Sequence, residues 1–131
     1  MQKYIRIMRL DHWIKQVFIV PGFICAMIMT HQVINKALCI QLLLAFIATS
    51  MIASANYVIN EWLDAAFDKY HPIKKTRSVV TENVKKNFVL TIWIILTIGG
   101  FLTGNAISWI FLATLFCLWF MGIIYNSNFA P

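Results

Sequence analysis

Asn56, Asn60, Asp64 and Asp68 recur at intervals of four in a chain that is 60% hydrophobic and has only five acidic residues in 131. In a helix, residues four apart share one slowly drifting face, and Glu61 lies beside that stripe. Asp64 and Asp68 would stand about 6 Å apart along the axis, at about 1.5 Å of rise per residue. Carboxylates that close repel one another in apolar surroundings unless a cation lies between or beside them. Mg²⁺ suits the position, because it prefers oxygen ligands, keeps some of its waters and bridges to phosphate oxygens. Lys69, Lys74, Lys75 and Arg77 follow directly and supply positive charge for further anionic oxygens. The stretch therefore reads as a Mg²⁺-dependent phosphate or diphosphate site at a helix end. A solvated loop between two hydrophobic helices would account for the bases, but not for an Asn/Asp register running out of an apolar helix.

The rest of the chain must carry that stripe to a membrane border. Soluble domains are about 45–50% apolar and about 25% charged, whereas this chain is only 12% charged and has a mean hydropathy of +0.73. It reads as a membrane protein. A net charge of +6 would suit nucleic acid, but the bases are confined to two short segments between apolar runs. That confinement fits an orientation signal and an anionic substrate better than a nucleic-acid surface. Cys25, Cys39 and Cys117 lie far apart in apolar runs, as packing residues do, with neither disulfide nor metal-ligand spacing. The N-terminal segment is long and amphipathic and lacks a cleavage pattern, so no cleavable signal peptide is expected.

These features predict an all-α, polytopic transmembrane bundle of four spans, at about 17–34, 37–60, 87–103 and 106–125. Residues 1–16 mix Lys3, Arg6, Arg9 and Lys15 with apolar side chains, as an interfacial helix does, with Trp13 near headgroup level. Arg9, His12 and Lys15, spaced by three, can face the same pocket as the acids. Pro21 predicts a bend or a late helix start in the first span. Ser50, Ala53, Ser54 and Ala55 permit close helix contact in the second span, which delivers the chain into Asn56 and Asn60. Residues 60–86 form the acidic and basic motif loop, closed by His71-Pro72, where the residue before proline is biased away from helix. Gly100 and Gly104 have small-xxx-small spacing, and Gly104-Asn105 signals the turn into the fourth span.

The run Asn60-Glu-Trp-Leu-Asp64-Ala-Ala-Phe-Asp68 resembles the first aspartate-rich motif, Asn-Asp-x-x-Asp-x-x-x-Asp, of the UbiA-type polyprenyltransferase superfamily. Its context, Tyr57-Val-Ile-Asn60 and then Asp68-Lys-Tyr-His71-Pro72-Ile-Lys74-Lys-Thr-Arg77, is most similar to the decaprenylphosphate phosphoribosyltransferase branch. Arg9-Leu-Asp-His-Trp13-Ile-Lys15-Gln16 is similar to that branch's Arg-Pro-x-Gln-Trp-x-Lys-Asn. Glu61 stands in place of the second-position Asp, Leu10 in place of Pro, His12 in place of Gln and Ser78 in place of the Pro after the basic run. The resemblance implies Mg²⁺-dependent transfer of a phosphoribosyl group from phosphoribosyl diphosphate to a polyprenyl phosphate lipid. Asp64 and Asp68 would then hold the metal and carry the catalysis, with Glu61 as an auxiliary ligand. Asn60, Tyr57, Lys74, Arg77, Arg9 and Lys15 would bind substrate. Family members have more spans and a second acidic motif, so the chain is expected to be an N-terminal part with a complementary C-terminal half as partner.

Two other functions fit the same residues. One is prenyl transfer from a prenyl diphosphate to an aromatic acceptor, which also needs Mg²⁺. The other is a noncatalytic truncated membrane protein or partner subunit. The four bases before the first span and six after the second, against Lys36 alone in the intervening turns, put both termini and the acidic motif in the cytoplasm by the positive-inside rule. A bacterial inner membrane is the expected location. Reporter fusions should place Lys85 in the cytosol and Gly104 outside; an external Lys85 would overturn both the orientation and the access of cytosolic substrate to the acids.

Overall fold

The computed structural model describes residues 1–68, 70 and 84–129, and the side chains among them except those of residues 3, 66–68, 128 and 129. Helices α1 (Gln2–Ile7), α2 (Ile19–Thr30), α3 (Lys36–Asp68), α4 (Lys86–Asn105) and α5 (Trp109–Phe129) are joined by a 3-10 helix at Leu10–Phe18. No strand occurs among the described residues. Hydrocarbon offers backbone N–H and C=O groups no partner, so apolar runs of this length close their hydrogen bonds within helices. Among the described residues, four stretches are long and apolar enough to cross a bilayer: Tyr4–Thr30, Lys36–Ala65, Lys86–Asn105 and Trp109–Ser127. The chain is an all-α integral membrane bundle.

The first crossing differs most from expectation. α2 has 12 residues, about 18 Å of α-helix, too short for a hydrocarbon core of about 30 Å. The 3-10 helix adds nine residues, about another 18 Å at its longer rise. The 3-10 helix and α2 together are thus long enough for that thickness. Pro21 supplies the local reason: it has no N–H to give Val17, so it is placed in the first turn of α2, where that donor is not needed. Arg9 separates α1 from the 3-10 helix with φ 50° and ψ 52°, a left-handed conformation that costs a non-glycine residue about 1–2 kcal/mol.

α3 is the longest element, with 33 residues, and it runs on past the expected boundary at 60 as one helix to Asp68. Ala48, Ile52, Ala55 and Val58 are buried along it. Gly100 of α4 lies against this face: a Cβ there would come within 2.8 Å of the Ile52 side chain and 3.3 Å of the Ala48 carbonyl oxygen. Gly104 meets Leu115 of α5 instead. The two glycines thus admit different neighbours and do not form one shared groove. Toward the end that carries the polar stripe, Ile7, Ala55, Val58, Val89 and Leu96 form one apolar cluster; Ala48, Ile52 and Leu115 form another. Trp13 donates from Nε1 to Ser54 Oγ at 2.8 Å, tying the first span to α3. α2 buries none of its residues within the protein, and its apolar side chains suit contact with lipid tails.

The crossing of α3 and α4 sets a test. Gly100→Ala should lower stability by about 1–2 kcal/mol, overpacking outweighing the gain in helix propensity. Gly22→Ala, where nothing lies within 4 Å of the added methyl, should be neutral or gain up to about 1 kcal/mol. Thermal unfolding of the purified variants in detergent compares them, and equal midpoints for Gly100→Ala and the parent would show that the two helices do not need this close approach.

Candidate functional site

The polar stripe emerges where α3 continues beyond its apolar length. One turn apart, Asn60 Nδ2 donates to Asp64 Oδ2 at 3.2 Å. That bond fixes the Asn60 amide, with its nitrogen toward the carboxylate and its oxygen directed away from it. Asp68 continues the same helix, but its side chain lies outside the described residues. Glu61, on the adjoining face, is buried. The cation beside it is Arg9, whose Nε is 3.7 Å from Glu61 Oε1. At that distance the contact is Coulombic and not a hydrogen bond.

The N-terminal segment folds over this part of α3. The left-handed backbone at Arg9 turns the chain between α1 and the 3-10 helix, and the Arg9 guanidinium carbon stands 5.9 Å from the Tyr57 ring centroid, within cation–π range. His12 meets the same ring edge-on, with centroids 5.2 Å apart and planes at 83°. His12 Nε2 is 3.4 Å from Asp11 Oδ2, and its buried Nδ1 has no hydrogen-bond partner among the described residues. Tyr57 is thus gripped by two cationic or protonatable side chains from one short segment.

A pocket of about 340 Å³ opens beside the stripe. Arg9 lines it from the N-terminal segment, Asn56, Tyr57 and Asn60 from α3, and Gly122, Tyr125 and Asn126 from α5. Asn56 belongs to the predicted stripe but is turned toward α5: its Nδ2 donates to the Leu118 carbonyl at 3.3 Å, and its amide is packed onto Gly122, where a Cβ would collide with it. A larger cavity, about 490 Å³, lies along α2 and the turn after it, lined by Phe23, Ile24, Met27, Ile28, His31, Gln32 and Ile34. Among the described residues its lining holds no Arg, Lys, Asp or Glu, whereas Arg9 lines the smaller pocket and Asn60 joins it to Asp64, so chemistry and not volume selects the smaller one.

Asp64 and Glu61 offer hard oxygen donors within about one helical turn, and Mg²⁺ takes one or two carboxylates and completes its octahedron with water and phosphate oxygens. The donor set fits that ion. Among the described residues no three acidic, His or Cys side chains converge as a metal-binding group. The structure brings Arg9, Tyr57, Asn60, Glu61 and Asp64 together. Lys15 is exposed on the 3-10 helix and is not among the residues lining the pocket. Lys74, Arg77 and His71 lie outside the described residues. Sequence reasoning missed Gly122, Tyr125 and Asn126; the signal available was a polar Tyr-Asn pair at the end of an otherwise apolar, aromatic run.

Neither a curated protein nor a solved structure matches the chain. The family model of UbiA prenyltransferases, however, matches residues 18–130. That match takes in α2 to α5 and the whole of the Asn60-to-Asp68 motif, and the chain belongs to the UbiA prenyltransferase family.

Proposed function

We propose that this protein serves Mg²⁺-dependent transfer of a phosphoribosyl group from phosphoribosyl diphosphate to a polyprenyl phosphate. Its family points to prenyl-transfer chemistry in membranes, on polyprenyl lipid substrates and generally with Mg²⁺. The finer reading is supported chiefly by one juxtaposition: the Asn60–Asp64 carboxylate face adjoins a pocket lined by Arg9, asparagines and tyrosines. A sugar diphosphate can use both, a metal for its diphosphate and amides and phenols for its hydroxyls. The Trp13/Lys15 and His71-Pro72 signatures favour the same branch.

In this reading Asp64 and Asp68 hold the metal, Glu61 assists, and Asn60 orients the Asp64 carboxylate through its hydrogen bond. When bound, Mg²⁺ neutralises charge developing on the diphosphate leaving group. Arg9, Lys74 and Arg77 take phosphate oxygens, Lys15 lies outside the pocket lining and meets an anion only at its rim, and Tyr57 offers its hydroxyl to the ribose or the acceptor phosphate. A site at the membrane border, facing the cytoplasm of a bacterial inner membrane, is open to a soluble donor from one side and a lipid acceptor from the other. Residues 1–131 act here as a membrane domain that works with a complementary C-terminal half, which is part of the proposal.

Transfer from radiolabelled phosphoribosyl diphosphate to polyprenyl phosphate, in membranes that also supply that half, tests the assignment across a Mg²⁺ titration. Asp64→Asn and Asp68→Asn remove charge with almost no change in volume. Each should lose about 3 kcal/mol of transition-state stabilisation, roughly a hundredfold in rate, with insertion retained. Glu61→Gln should be milder, and Glu61→Asp should keep activity. Near-normal transfer by both Asp variants at low Mg²⁺ would reject the metal assignment, and labelling of an aromatic acceptor from a prenyl diphosphate would favour the other transfer reaction.

A further inference from the structure

The pocket and the carboxylate face meet at Asn60 and at Arg9. Arg9 lines the pocket and is also the cation beside Glu61. The 3.7 Å contact uses none of the guanidinium N–H groups in a hydrogen bond to Glu61, so those donors stay available to an oxyanion. The two partners differ in exposure, 40% for the Arg9 side chain and 10% for that of Glu61. A carboxylate so nearly buried needs a positive charge beside it, whereas Arg9 is open enough to exchange partners. Its left-handed backbone, unfavourable for arginine, persists only where the surroundings impose it.

Among the described residues the remaining polar lining is neutral: Asn56, Tyr57, Asn60, Tyr125 and Asn126 share the pocket with Arg9, and no acid does. Asn126 is itself buried, at 7% exposure. One cation ringed by amides and phenols, at the polar end of an apolar bundle, is the chemistry that recognises a phosphomonoester. An anion bound there draws the Arg9 charge toward itself and adds a like charge near Glu61, leaving that buried carboxylate in need of another cation. A divalent ion on Glu61 acts in reverse and releases Arg9 to the pocket.

We propose that Arg9 couples two binding events of opposite charge, a phosphomonoester in this pocket and a divalent cation on the Glu61 and Asp64 face, each strengthening the other by moving Arg9 from Glu61 to the anion. The cation arm rests on the metal reading given under Proposed function; the anion arm does not. Metal-free titrations of the purified full chain in nanodiscs, with dodecyl phosphate and with ribose 5-phosphate, distinguish a lipid from a soluble source of the phosphomonoester. Glu61→Gln should tighten whichever compound binds by about fivefold, a coupling of ordinary size. With Mn²⁺ present, direct bridging of the anion by a metal held on Glu61 predicts instead that Glu61→Gln weakens anion binding. Arg9→Gln should abolish anion binding while Arg9→Lys retains it, which separates loss of charge from loss of fold.

Mn²⁺ binding, followed by its paramagnetic resonance without anion, should tighten by a similar factor of about five in Arg9→Gln. In the parent protein the anion and Mn²⁺ should tighten each other equally, as linkage requires, and in Arg9→Gln that mutual effect should vanish. Failure of both phosphomonoesters to bind, or anion binding weakened or unchanged in Glu61→Gln, would overturn the proposal. Mn²⁺ bound by no variant would overturn the metal reading itself, whereas Mn²⁺ binding without reciprocal tightening would overturn the coupling alone.

Discussion

The close crossing of α3 and α4 is the contact on which the rest of the bundle depends. Lipid tails are as apolar as the side chains they would replace, so helices in a bilayer gain little from burial alone and must gain from close packing. Ala48, Ile52 and Ala55 on one side and Gly100 on the other allow that approach. Val58, Val89 and Leu96, with Ile7 from the N-terminal segment, extend it toward the polar end. The result is a stiff support beneath residues 57–64. Lys86, at the start of α4, lies 5.8 Å from the Trp62 ring centroid and closes the same end of the crossing.

Electrostatics at that end depend on depth. A carboxylate at the bilayer centre would cost several kcal/mol, and one at the border much less. Asp64 is half-buried and shares its charge with the Asn60 amide, while Glu61, more deeply placed, has a full cation beside it. The degree of neutralisation follows the degree of burial along α3. The same gradient explains why the N-terminal segment folds over α3 where it does, since Arg9 is the charge that makes a buried Glu61 tolerable.

The apolar runs, the four crossings and the Asn60–Asp64 register were legible because each is periodic or local: hydropathy marks a span, and spacing by four marks a helix face. The Arg9–Glu61 pair was legible only in part. The sequence placed Arg9 near the acids, but the left-handed turn that brings it there is a property of the fold. The 3-10 helix was not legible, since its residues alone fit an amphipathic α-helix, and only Pro21 hinted at the boundary. Gly122, Tyr125 and Asn126 escaped because they join the site across more than sixty positions of chain, as the Asn56 contact with Leu118 at a separation of 62 illustrates. Asn56 itself was placed on the right helix face but assigned to the acids when its amide turns to α5.

The seat of Asn56 on Gly122 has an evolutionary consequence. The amide occupies the space that any side chain at position 122 would need, and its buried Oδ1 has no partner among the described residues, so it contributes less than a fully bonded asparagine would. Two positions that share one side-chain volume cannot drift independently. A descendant that replaces the amide with a smaller residue frees position 122 to grow, but one that enlarges position 122 first must turn the Asn56 amide out of its seat, breaking its bond to the Leu118 carbonyl, or move α5 away from α3. The order of substitution therefore matters: shrinking position 56 first spares the bundle that disturbance.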